Sequence, residues 1–397
     1  MDKNLEESGW ALAPHNLPRE IMEKLVKKKD EYLQISCQEV ERAFNVSFEG
    51  FESEKIEYIE LAKGIARAFL RYDPFSHLLL QAVWRKLSET FGLSSKIKYL
   101  TLPYPIIHFP LDTSESGTTH KDGYDYIKDF YTTWTPLNDC FHQPISIIEK
   151  THYKNSFILR KLRAKLKFID KLILSTKKIF KPDIRLGEFF VWHGETNHAG
   201  LLNRSGQTKV SITARFTSSA MMSETTLTTE EIENYTAIEN KIIPRDLAQK
   251  IIKIFKEIQT QTKEEAIMEK TMDGLVENVR LNIKSWNLSP DESKRLGFVL
   301  ALWAQRMERK TDAHLFYLYA FFSGTDNFYA LQKCLIYVIG NFKSEESLKF
   351  INFILSDFGS QQSVYIIKRA VKLSGEKGKN LNIEYPIDLP LLKSSLT

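Results

Sequence analysis

The sequence predicts an α+β chain, and three observations carry that prediction. Apolar residues recur at helical spacing through residues 17–93. Short runs rich in Ile, Val, Tyr, Phe and Trp, broken by turn residues, fill 97–219. Helical spacing returns from 220 to 397. The expected divisions are a helical part over 1–96, a β core over 97–219 and an all-helical, solenoid-like domain over 220–397.

The N-terminal helices begin at LPREIMEKLVKKKDEYLQI, where Pro18 suits a first turn. EKIEYIELAKGIARAFLRY and HLLLQAVWRKLSETF continue the pattern. The period then changes. IKYLTLPYPIIHFPL (97–111), DFYTTWTPL (129–137), QPISIIE (143–149), EFFVWHG (188–194) and KVSITARF (209–216) read as strands, the last alternating as a strand with one buried face does. Residues 156–181 read as a helix inserted into this β region. Its stripe is Ile158, Leu162, Leu166, Ile169 and Ile173, and Arg160 to Lys181 holds nine basic residues against one acidic, Asp170. TSSAMMSETTLTTEE (217–231) reads as a boundary. Beyond it, Ser289 and Pro290 mark a helix start in SPDESKRLGFVLALWAQRMER. No strict repeat supports a named repeat family.

Composition narrows the class. The chain has 397 residues, 43% hydrophobic and 26% charged, with a net charge of +5. Those values are ordinary for a soluble globular protein. Cys37, Cys140 and Cys334 form no CxxC pair, which argues against a disulfide framework or a zinc finger. The acidic N-terminus predicts no secretory signal, and no apolar run approaches the roughly 20 residues of a membrane span. A cytoplasmic location is the expectation.

Chemistry concentrates at TTHKDGY (118–124). His120 and Asp122 are two apart and share one face of an extended segment. Lys121 follows His120 directly, which excludes the spacing of a phospholipase D motif. A His-x-Asp needs one more distant His to complete two imidazoles and a carboxylate, the donor set that leaves one side of Fe(II) open. GEFFVWHGETNHAG offers two candidates, His193 and His198.

Four segments, in order, resemble the phytanoyl-CoA dioxygenase-like superfamily of Fe(II)/2-oxoglutarate oxygenases. They are IIHFPLD, THKD, WTPLND…PISIIEKTH and LGEFFVWHGETNHAG…NRSGQTKVSITARF, spanning roughly 97–219. The resemblance implies a double-stranded β-helix, or jelly-roll, core there, with 1–96 as the helical part of the same oxygenase domain. It implies iron bound by His120, Asp122 and His198, with His193 as the competing distal ligand, and 2-oxoglutarate and molecular oxygen as co-substrates. The family's usual co-substrate anchor is an Arg eleven residues after the distal His, followed two later by Ser. Here Lys209 and Ser211 occupy those positions. An ammonium can pair with the distal carboxylate but gives up the two-pronged fork of a guanidinium. Arg215, on the same strand face, is the alternative anchor.

The resemblance further implies a hydroxylase, because Asp122 stands where halogenases of the superfamily carry a small residue. The expected substrate is a small, anionic, carbohydrate-linked or natural-product intermediate. The basic stretch 156–181 would attract it, or would contact an anionic membrane surface. No nucleic-acid partner is expected, since the basic residues are not interleaved with aromatics along a groove. Residues 220–397 are the expected surface for a second copy or a protein partner. The competing class is a non-catalytic scaffold with a decayed oxygenase domain.

Overall fold

Two helix starts in this chain are set by a small polar residue placed before Pro, at Asp73-Pro74 and Ser289-Pro290. Asp73 is followed by Pro74, and its carboxylate accepts the Phe75 N–H at 2.8 Å, opening a helix over Pro74–Phe91. The computed structural model describes residues 3–48, 55–91, 99–100, 102–110, 112, 119–122, 130–142, 144–151, 178–217, 233, 236–238, 240–264, 272–307, 313–324, 328–357, 361–381 and 383. The helical stretch expected at 156–181 and the boundary at 217–231 therefore lie mostly outside the described residues.

The elements, in order, are α1 (Lys3–Glu7), β1 (Trp10–Pro14), α2 (Arg19–Phe44), α3 (Ile56–Arg71), α4 (Pro74–Phe91), β2 (Tyr99–Leu100), β3 (Tyr104–His108), β4 (Phe130–Pro136), β5 (Cys140–His142), β6 (Ile145–Ile148), β7 (Ile179–Phe180), β8 (Asp183–Arg185), β9 (Glu188–His193), β10 (His198–Gly200) and β11 (Lys209–Thr217). Helices follow: α5 (Pro244–Glu264), α6 (Met272–Ser285), α7 (Pro290–Arg306), α8 (Ala313–Phe322), α9 (Phe328–Asn341), α10 (Ser344–Asp357), α11 (Gln361–Leu373) and α12 (Gly375–Lys379). The chain is thus mixed helix and antiparallel sheet. It packs as two units, Met1–Glu31 with Leu70–Glu239, and Tyr32–Phe69 with Asn240–Thr397. Among the described residues no helix is long and apolar enough to cross a membrane.

The first unit holds the sheets. The larger runs β1-β9-β4-β11-β2, with β3 also paired to β11; the smaller runs β10-β6-β7; β5 pairs β8. Register fixes which residues share a face. Thr213 lies opposite Trp134, Trp134 opposite Phe190, and Trp192 opposite Trp10. Trp134, Phe190 and Trp192 are buried with Ile145 and Ile147 of β6 and Ile184 of β8, and Trp10, Ile106 and Phe180 pack against them. These side chains fill the space between the larger and smaller sheets. The opposite face of the larger sheet carries Phe189, Val191, Val210, Ile212 and Ala214, all buried. Phe91 of α4 meets Phe189 edge-on at 6.4 Å.

Two features differ from the sequence expectation. β1 forms from WALAP and extends the larger sheet along Glu188–Trp192 of β9, from Trp10↔Trp192 to Pro14↔Glu188. Ile179 and Phe180, read above as the end of a helix, instead pair with Ile148 and Ile147 as β7.

The elements described in the second unit are helices. Ser289 caps α7 through a reciprocal box with Glu292, as its sequence predicts. Gly64 on α3 lets Val299 of α7 approach closely, since an added Cβ would sit 3.3 Å from its Cγ1. Glu60, Lys63 and Arg67, each at most 1% exposed, form a buried ion cluster on α3 that Arg306 reaches from α7.

Candidate metal centre

His198 is delivered by a tight turn off the end of β9. Thr196 N–H donates to His193 O at 2.8 Å, and Gly194 N–H to Phe130 O at 2.8 Å. Thr196 Oγ1 donates to Gly9 O, and Asn197 N–H to Thr151 Oγ1 at 2.8 Å. The chain then enters β10, where His198 pairs with Ile147. The segment holding His120 runs alongside: His120 N–H donates to His198 O and His198 N–H to His120 O, both at 2.9 Å. The smaller sheet thereby gains His120 next to β10, and the two imidazoles lie 4.5 Å apart, centre to centre.

Asp122 reaches the larger sheet. Thr132 Oγ1 donates to its Oδ2 at 2.9 Å, and Arg215 Nη2 to its Oδ1 at 3.1 Å. Thr132 and Arg215 are register partners on β4 and β11. The site therefore lies between the sheets, with imidazoles from one side and a carboxylate held from the other. One ligand atom each from His120, Asp122 and His198 lies within 4.8 Å of the other two.

These residues fit a bound cation, and the hydrogen bonds show why. His198 Nδ1 lies 3.0 Å from Thr196 O, and a carbonyl can only accept, so Nδ1 carries the proton. Burial pushes the His198 pKa down, against the pull of Asp122, which favours the neutral ring. Its Nε2 then presents a lone pair 3.5 Å from Asp122 Oδ2. Burial alone would raise the Asp122 pKa, but Arg215, His198 and Thr132 together bring it below the usual carboxylate value. Two acceptors thus face each other across a gap that a cation satisfies. A ring whose other nitrogen is anchored to a backbone carbonyl is the usual arrangement for a metal-ligating His. Two nitrogens and one oxygen suit Fe(II) with open positions better than an all-oxygen Ca²⁺ site or a closed four-ligand zinc site.

His193 is placed elsewhere. It faces the side of β9 opposite Trp192, meets Tyr131 edge-on at 5.4 Å, and its Nδ1 accepts the Glu195 N–H at 3.1 Å. It shapes the turn that delivers His198 and is not among the clustered groups.

The remaining site residues share the inner face of β11: Lys209, Ser211, Thr213 and Arg215 alternate along it. Arg215 engages Asp122. Lys209 lies at the far end, opposite His108, about 20 Å away at strand rise. Asn203 pins the turn before β11, donating to His108 O and Gln207 O, both at 2.9 Å. Asn138 donates to Thr208 O and accepts the Val210 N–H at 2.7 Å. Between the two cations, Ser211 Oγ and Thr213 Oγ1 are buried without a hydrogen-bond partner among the described residues. Both hydroxyls lie on the same strand face as Lys209 and Arg215. Thr132 and Thr213 were not singled out by the sequence; only register brings them to this face. The indole of Trp192 stacks obliquely on His198 at 5.1 Å and walls one side.

No family model matches the chain, and no curated protein does. Several solved structures are similar at low identity. A non-heme alpha-ketoglutarate-dependent carbocyclase, SnoK, from nogalamycin biosynthesis shares 13% identity over 55% of this chain and 84% of its own, at a TM-score of 0.32. AviO1 from Streptomyces viridochromogenes Tue57 shares 13% over 55% of this chain and 93% of its own, at 0.36. The epimerase SnoN, solved with Fe3+, alpha-ketoglutarate and nogalamycin RO, shares 10% over 54% of this chain and 80% of its own, at 0.31.

Proposed function

We propose that this chain is an Fe(II)/2-oxoglutarate-dependent oxygenase of the phytanoyl-CoA dioxygenase-like kind, hydroxylating a small anionic substrate. The observation that carries the reading is His198 Nε2 lying 3.5 Å from Asp122 Oδ2, with His198 Nδ1 3.0 Å from Thr196 O and His120 bridged alongside. The paired sheets, His120-β10-β6-β7 against β3-β11-β4-β9-β1, read as a double-stranded β-helix with its site between the layers.

Bound there, iron and 2-oxoglutarate would supply an oxidative decarboxylation: one atom of O2 enters succinate, the other converts a substrate C–H to C–OH, and carbon dioxide leaves. The chain's residues set this up. His120, His198 and Asp122 would hold the metal by three positions and leave three open. Lys209 would pair with the distal carboxylate of 2-oxoglutarate as a point charge, and Ser211 would donate to the same group. Trp134, Phe190 and Trp192 keep water from the inner wall. Asp122 would fill the position that a halide would need, which would favour hydroxylation. The nine basic residues between Arg160 and Lys181 support an anionic substrate. A decayed scaffold would have no reason to retain three converging ligands.

The test is substrate-free turnover. Protein reconstituted with Fe(II) and supplied with 2-oxoglutarate and O2 should form succinate slowly, and omission of Fe(II) should stop it. Protein that binds iron yet forms no succinate above the metal-only rate would end the oxygenase reading.

A further inference from the structure

The two oxygens of Asp122 are addressed separately. Oδ1 accepts from Arg215 Nη2 at 3.1 Å, and Oδ2 accepts from Thr132 Oγ1 at 2.9 Å while facing His198 Nε2 at 3.5 Å. Both donors are anchored in the larger sheet. Arg215 and Thr132 are direct register partners on β11 and β4, so the ladder fixes their spacing. The Thr132 side chain is buried and the Asp122 carboxylate 8% exposed.

We propose that Arg215 and Thr132 are positioning residues that hold Asp122 as a one-oxygen ligand, with Oδ2 on the metal and Oδ1 kept away by the guanidinium. This rests on the reading that His120, Asp122 and His198 bind a metal. A carboxylate free to turn can chelate through both oxygens and occupy one more position. Six-coordinate Fe(II) with three protein ligands has three positions left, two for a chelating co-substrate and one for oxygen. A fourth protein contact removes one of them. The Oδ1 contact to Arg215 blocks that turn, and Thr132 fixes the torsion from the other oxygen. The guanidinium also offsets the carboxylate charge, so the pair is held in place before a cation arrives. Arg215 is thereby committed to Asp122 rather than to the co-substrate's distal carboxylate.

The experiment uses full-length protein, Co(II) as an air-tolerant spectroscopic probe, and 2-oxoglutarate. Co(II) affinity is measured by equilibrium dialysis, ligand geometry by the Co(II) visible absorption, and 2-oxoglutarate affinity by calorimetry on the Co(II)-loaded protein. Arg215→Gln should still bind Co(II), with an altered visible spectrum and at least tenfold weaker 2-oxoglutarate binding. Arg215→Lys, which returns one donor, should recover part of both. Thr132→Val should shift the spectrum in the same direction, and Thr132→Ser should restore it. A merely structural role would move unfolding midpoints and leave the spectrum of the folded fraction unchanged. Should Arg215→Gln fail to fold, the near-isosteric Thr132→Val and Thr132→Ser pair decides. Wild-type spectra and 2-oxoglutarate affinity in folded Arg215→Gln, or in Thr132→Val, would overturn the proposal. Wild-type protein that binds no Co(II) would instead overturn the metal reading beneath it.

Discussion

Replacing Gly194 with Ala should destabilise the unit that carries the site. Gly194 opens the turn between His193 and His198, and its N–H donates to Phe130 O. A Cβ built there would lie 2.0 Å from Phe130 Cζ and 2.3 and 2.4 Å from its two Cε atoms. Carbon atoms rest about 3.5–4.0 Å apart, so ring or turn must retreat by roughly 1.5 Å. Phe130 has little room, being 1% exposed and paired with Thr217 at the start of β4. Overpacking of this kind costs about 1–3 kcal/mol. Urea unfolding followed by Trp fluorescence should show a lower midpoint with an unchanged slope. Because the turn delivers His198, Co(II) affinity should fall as well. Shortening the ring removes the clash, so Gly194→Ala with Phe130→Leu should be more stable than the two single effects add up to, by a coupling of about 1–3 kcal/mol. A wild-type midpoint for Gly194→Ala, or strict additivity in the double variant, would refute the close approach of ring and turn.

Other outcomes follow from the same geometry. His198→Ala and Asp122→Ala should each lose bound metal and succinate formation, whereas His193→Ala should keep the metal and lose only stability; dialysis with metal analysis separates them. Lys209→Ala should weaken 2-oxoglutarate binding by about 2–5 kcal/mol, because the distal carboxylate is left unpaired, while metal affinity stays; unchanged co-substrate affinity would remove Lys209 as the anchor. His15 is 3% exposed, its Nδ1 accepts the Leu17 N–H at 3.1 Å, and burial lowers its pKa from 6.5 to about 4. The folded state thus prefers the neutral ring: the stabilisation is complete above pH 6.5 and is lost as pH falls toward about 4. The loss amounts to about 3 kcal/mol at about 1.4 kcal/mol per pH unit. His15→Gln should flatten stability across that window, and an unchanged slope in urea titrations would contradict the assignment.

The long elements were legible because their patterns are long. β11 alternates over Lys209–Thr217, and α3 repeats its apolar face over Ile56–Arg71. β4 was readable as a run of aromatic and β-branched residues, which suits its burial on both faces. β5, β7, β8 and β10 have two or three residues each, too few for any period to register. β1 hides in WALAP, where Ala and Pro carry little strand signal and only pairing with β9 supplies it. At the site, the His120 and Asp122 spacing was visible in the sequence. The sequence already favoured His198 over His193 as the distal ligand, and the fold clusters His198 with His120 and Asp122 while His193 meets Tyr131 instead. The Thr132 and Arg215 clamp, by contrast, was hidden. It depends on β4–β11 register, and residues 83 positions apart in sequence carry no local mark of being opposite.

On the proposed function, His120, Asp122 and His198 hold one Fe(II) and leave room for a chelating 2-oxoglutarate. Anaerobic titration of the protein with Fe(II) and then 2-oxoglutarate, followed by visible absorption, tests it most directly. A weak charge-transfer band is expected that needs both additions, saturates at one iron per chain, disappears in His198→Ala and persists in His193→Ala. Iron binding without any such band, or a band that survives His198→Ala, would contradict it.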